Sequence, residues 1–131
     1  MAFATHGDLA ARWRPLSAAE QARATTLLGD AAWWLGVWFR PYGDLEALAA
    51  GDAELAEGLL ILSCAMVKRA MTSGAIEGAQ STYQVMGPFT TQIAYKNPDG
   101  SLFIYESERD AILTLLGVNT SGAVSMTGLG L

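Results

Sequence analysis

A chain of 131 residues and 13.9 kDa is the length of one domain, and area scaling lets it bury roughly two-thirds of the ~20,000 Å² that its extended form exposes. With 51% hydrophobic and 16% charged residues, it is too apolar for intrinsic disorder and more apolar than a small monomer readily hides, so some of that surface is expected to face another subunit. Its net charge of −5 counts against a free-standing nucleic-acid binder, and no uninterrupted apolar stretch nears the ~20 residues of a membrane helix.

In chain order, Thr5 and Asp8 before Leu9-Ala10-Ala11 predict a capped short helix, stopped by Pro15. Ser17-Ala18-Ala19-Glu20 is a capping box, each side chain taking the other residue's free backbone N–H. The helix it opens should run to about Phe39, since Pro41 forbids continuation. Ala24, Leu27, Leu28, Ala31, Leu35 and Trp38 recur along it at helical steps as one apolar stripe. Asp44 caps a short helix over Leu45–Ala50 that Gly51 closes, and Asp52 caps a second long helix from Ala53 to about Ser73, with Gly74 as its stop. Leu55, Leu59, Leu62, Met66 and Ala70 form its seam, with Ser63 expected at the stripe's edge and its hydroxyl bonded back one turn. Lys68 and Arg69 in its last turns suit the negative end of the helix dipole.

Beyond Gly74 the residues change character. Thr82–Met86 and Phe89–Tyr95 are β-branched and aromatic, with Phe89, Thr91, Ile93 and Tyr95 expected on one strand face. Asn97-Pro98-Asp99-Gly100 fits a type I turn into a return strand, Leu102–Tyr105. Ser107 with Asp110 should cap a last helix through Leu116, ended by Gly117. From Val118 to Leu131 no side chain is charged, and Ser, Thr, small apolar residues and glycines alternate without a period. The expected fold is therefore mainly α. It is a small bundle of two long and two or three short helices, with a short β-hairpin (about 80–105) inserted before the last helix. Residues 1–117 form the domain and 118–131 a flexible, extended tail.

The residues that carry chemistry elsewhere find no companions here. His6 is the sole histidine, with no second His or Cys near it, short of the three or four ligands a zinc site needs. Cys64 is the sole cysteine, so no internal disulfide is possible; a small core residue in a protein made in a reducing cytoplasm, without a signal peptide, is the expectation. Glu54 with Glu57, and Glu106, Glu108 and Asp110, read as solvated acids near helix N-termini rather than acid–base pairs. No nucleophile elbow, triad or phosphate loop occurs, and neither a catalytic residue, a cofactor nor a metal is expected. Arg12-Trp13-Arg14 is the densest basic group and would suit a base or a phosphate. Trp33 and Val37 point away from the stripe of their helix. Either the hairpin covers them, or they are anchors of a subunit interface.

The order of several short motifs is more specific than any one of them. Phe3-Ala4-Thr5 with Asp8-Leu9, Trp13-Arg14-Pro15-Leu16-Ser17 with Glu20, Val67-Lys68-Arg69-Ala70-Met71, Gly87-Pro88-Phe89-Thr90, and Tyr95 with Asn97-Pro98 and Gly100 follow one another along residues 1–117. In that order they resemble the head-to-tail connector, or adaptor, family of tailed bacteriophages. The resemblance implies a virion protein at the head–tail interface, made in the host cytoplasm. It would form a ring of about twelve copies that docks on the portal, receives the next tail-completion or head-closure protein, and passes the genome in passive contact through its lumen. The neutral tail departs from the basic segment often seen in that family. Read from its own residues, the tail is expected to be either an attachment segment, with Val118, Val124, Met126, Leu129 and Leu131 as apolar anchors that order on a partner, or a frayed end without a role. A small helical DNA-binding regulator is the alternative; it calls for a basic recognition helix, which neither long helix offers. A small enzyme would instead need polar side chains converging in a pocket.

Overall fold

In a computed structural model, the structure describes residues 2–73 and 92–118. Among them are five α-helices: α1 (His6–Ala11), α2 (Ala18–Trp38), α3 (Leu45–Ala50), α4 (Ala53–Ser73) and α5 (Glu106–Leu115). A hairpin of β1 (Ile93–Lys96) and β2 (Phe103–Tyr105) precedes α5. The expected mainly helical fold, with a short hairpin before the last helix, is the observed one. Thr82–Met86, Phe89 and Thr91, and the tail beyond Val118, lie outside the described residues.

Local chemistry sets the helix starts. Thr5 and Asp8 close one capping box, Ser17 and Glu20 a second, and the Asp44 carboxylate accepts from the N–H groups of Glu46 and Ala47. Asp52 does the same for Glu54 and Leu55, at 3.1 and 3.2 Å. Glu20 has a further partner. Arg14 holds both its oxygens, at 3.0 and 2.8 Å, while the Arg14 guanidinium lies 4.3 Å from the Trp13 ring centre. That ion pair, and next the Ser17 N–H, bring the Glu20 carboxyl down to about 2. A carboxyl whose pKa is depressed by folding contributes stability above its ordinary pKa and loses it as pH falls toward the lowered one. Glu20 should therefore titrate near pH 2 by NMR, and Arg14→Ala should return its midpoint toward the ordinary carboxylate range.

α2 ends at Trp38 with Phe39 as its C-cap, as expected, and Arg40–Tyr42 follow as one 3₁₀ turn in which Pro41, lacking an N–H, sits near the start, where no donor is required. One helix start departs from expectation. α5 starts one residue before Ser107, directly from β2, and Glu108 rather than Asp110 closes it by accepting the Tyr105 N–H at 2.9 Å. Its C-terminus is a Schellman motif. The Val118 N–H donates to the Leu113 carbonyl (2.8 Å) and the Gly117 N–H to the Thr114 carbonyl (3.0 Å), with Gly117 at φ +84° as the left-handed residue the motif requires.

The core joins the seams of α2 and α4. Leu28, Ala31 and Leu35 meet Leu55, Leu59, Leu62 and Met66, with Leu9, Leu45, Ile104 and Ile112 closing the ends. α5 crosses α4 at Gly58, where an added Cβ would stand 2.8 Å from Leu115 Cδ1, the far end of a side chain that would have to turn aside. Ser63 corrects its expectation. It is wholly buried, not at the stripe's edge, and its Oγ has no hydrogen-bond partner among the described residues. A desolvated, unpaired hydroxyl opposes folding, so Ser63→Ala should stabilise by about 1 kcal/mol, read as a higher midpoint in urea.

Arg69 corrects a second. Instead of complementing a helix end, it reaches across to the hairpin and α5. Its Nη1 and Nη2 donate to the two Glu108 oxygens at 3.0 and 2.9 Å, and Nη2 also to the Phe103 carbonyl at 2.9 Å. The guanidinium lies 4.8 Å from both the Phe103 and Tyr105 ring centres. Glu108 is thus a structural ion-pair partner, not a solvated acid. In β1 the pairing register slips between Ile93 and Tyr95, which breaks the two-residue repeat of the strand. Ile93 is left exposed while Tyr95 packs on the core, so the two do not share a face.

Candidate functional site

α2 carries apolar residues on two sides. Leu28, Ala31 and Leu35 face α4 and are buried. On the other side, Trp33 is 63% and Val37 42% exposed. The hairpin meets the end of this helix through Tyr95, which stacks on Trp38 at 5.6 Å and stands edge-on to Phe39 at 5.9 Å. It does not reach Trp33 or Val37 with any described residue. Trp33 instead stands edge-on to Trp34 at 4.9 Å, and Trp34 lies 6.0 Å from Trp38, so the exposed indole is the outer end of an aromatic row rooted in the hairpin.

Beside Trp33 and Val37 runs an open groove of about 460 Å³. Gly29, Ala32 and Gly36 form its floor on α2, and Phe3 and Leu45 bound it from the N-terminal segment and α3. Arg40, Asp44 and Glu46 lie at one end, with Asp44 already committed to the cap of α3. The two glycines are the informative feature. A Cβ built on either would meet nothing within 4 Å, so packing among the described residues asks for no glycine at positions 29 and 36. Glycine inside a helix nevertheless costs about 1 kcal/mol against alanine. A groove with a glycine floor, an indole wall and charge confined to one end suits close approach of another apolar backbone.

The other expected sites are dispersed. His6 is the first residue of α1, and among the described residues no group of His, Cys, Asp and Glu is placed to hold a metal ion. Cys64 is buried in α4, where desolvation pushes its thiol pKa up and keeps it protonated. Arg14 of the Arg12-Trp13-Arg14 group is engaged by Glu20 and by the Trp13 ring. Val118, the first of the tail anchors, is the last described residue and packs on the core next to the Schellman motif; Val124, Met126, Leu129 and Leu131 lie outside the described residues. Sequence reasoning singled out Trp33 and Val37 but missed the floor beneath them. Its signal was present in the seven-residue interval between Gly29 and Gly36, which puts both on one face of a helix.

No helix among the described residues is long and apolar enough to cross a membrane. The sequence profile of the family described as Phage protein Gp19/Gp15/Gp42 matches residues 12–125, most of the chain and part of the segment beyond α5. No curated protein and no solved structure matches. The chain belongs to that phage protein family.

Proposed function

From that membership we propose that the protein is a structural head-to-tail connector of a tailed bacteriophage, with no catalytic step of its own. Copies join side by side into a ring, about twelve in number as the connector resemblance implies. The ring docks on the portal and receives the next tail-completion or head-closure protein. The observation that carries the reading is the second apolar face of α2: an exposed Trp33 and Val37 over a glycine floor that the fold itself leaves open. Tryptophan on such a face is the residue type that anchors protein interfaces. The charge of −5 suits a wall past which DNA slides, because a basic wall would hold phosphates through counterion release.

Trp33→Ala tests this in the particle. The side chain is mostly exposed, so the melting temperature of the isolated protein should stay within about 2 °C, as surface substitutions usually do. Incorporation into virions should fall at least about tenfold, the effect of losing roughly 1.4 kcal/mol at an anchor. Imaging of the particle at modest resolution should place the protein in a ring between portal and tail. Normal incorporation of the variant removes Trp33 from the interface, and a particle without the protein at its neck defeats the connector reading.

A further inference from the structure

We propose that the α2 groove of each copy seats the uncharged segment 119–131 of a neighbouring copy. The inference rests on the assembly of copies proposed above and names the occupant of that same surface. The groove offers a floor at Gly29 and Gly36 where an incoming backbone meets no side chain, and a wall of Trp33 and Val37. The segment offers the complement: Val124, Met126, Leu129 and Leu131 for the wall, and Gly122, Gly128 and Gly130 for close contact with the floor. It holds no charged side chain, although charged residues make up 16% of the chain, and a stretch kept in water usually carries some.

Length and direction favour a neighbour over the segment's own copy. From Gly29 to Arg40 the groove follows about 17 Å of helix, at ~1.5 Å per residue, which five or so extended residues cover at ~3.3 Å each. The remaining eight or so reach about 26 Å. The segment starts at Val118, behind α5, which packs on α4 at Gly58. The groove lies on the face of α2 turned away from the residues that meet α4. A path back to it within one copy rounds two helices, each about 10 Å across, and uses most of that reach.

The full-length protein in assembled particles tests this by disulfide trapping. Cys64→Ala removes the buried native thiol; Gly36→Cys and Leu129→Cys place one thiol on the floor and one on the segment. Mild oxidation should give a ladder of covalent multimers on a non-reducing gel, whereas either cysteine alone gives dimers at most. A cross-linked monomer of altered mobility would put the segment in its own groove and overturn the proposal. So would particles whose copies are joined by carboxylate–amine cross-linking yet yield no ladder, a result that leaves the assembly reading standing. Absence of both kinds of link defeats that reading, and this one with it. Should the cysteine variants fail to fold, Gly29→Leu with Gly36→Leu fills the floor into open space. It should raise the melting temperature, because leucine suits a helix interior better than glycine, and reduce incorporation at least about tenfold, the loss of roughly 1.4 kcal/mol; unchanged incorporation overturns the proposal.

Discussion

Phe39→Ala is expected to cost about 3–5 kcal/mol, the range for deleting a buried aromatic ring. Phe39 is fully buried at the C-terminus of α2, with Tyr95 of the hairpin edge-on at 5.9 Å and Tyr42 at 6.2 Å. Its removal leaves a cavity where α2, the 3₁₀ turn and β1 meet, and Pro41 next to the turn limits how far the backbone can settle into it. For a chain of this size the loss corresponds to a fall of about 10–20 °C in Tm, measurable by circular dichroism. Phe39→Leu keeps most of the volume and should recover more than half. A loss below about 1 kcal/mol would mean that this ring is not part of the core.

The Arg69–Glu108 clamp should give the next largest effect. The two side chains are 19% and 24% exposed, so the pair is screened more than a fully buried one, and removal of either partner should cost about 2–3 kcal/mol rather than the 3–5 of a deep pair. Arg69→Ala leaves Glu108 Oε2 and the Phe103 carbonyl without their donor, while Glu108 Oε1 keeps only the Tyr105 N–H, and takes the guanidinium from between two aromatic rings. Arg69→Lys should rescue little, because an ammonium cannot serve both carboxylate oxygens and stack as a plane. The double variant with Glu108→Gln should lose less than the sum of the two singles, with a coupling of about 1–2 kcal/mol. Hydrogen exchange adds a spatial readout. A two-stranded hairpin is marginal by itself, so the amides of β1 and β2 should lose protection before those of α2. Equal loss throughout would make Arg69 a general stabiliser rather than the tie between hairpin and bundle.

How much of this was legible in the sequence follows from the range of the interactions. Helix boundaries were readable wherever a cap lies within three residues of its target: Thr5 with Asp8, Ser17 with Glu20, Asp44, and Asp52 with Glu54 and Leu55. The apolar seams of α2 and α4 were readable too, because helical periodicity maps spacing onto a face. The one cap that failed, Ser107, lost to a strand that runs straight into α5 and offers its Tyr105 N–H to Glu108. Local preference for serine is weaker than that tertiary constraint.

What only the tertiary structure decided has no local signature. Arg69 and Glu108 are 39 residues apart, and nothing near either distinguishes an ion-pair clamp from a dipole-compensating base and a solvated acid. Ser63 could be placed near a stripe by spacing, but its complete burial follows from which elements pack over α4. The slip between Ile93 and Tyr95 depends on where β2 offers its hydrogen bonds. For the site, the sequence by itself determined that Trp33 and Val37 leave the core face of α2, since a helix fixes the angle between its residues. Whether anything in the chain covers them was a question of packing between elements distant in sequence. Among the described residues nothing does, and the glycines beneath them stand open because α3 and the N-terminal segment pack beside that face of the helix and not on it.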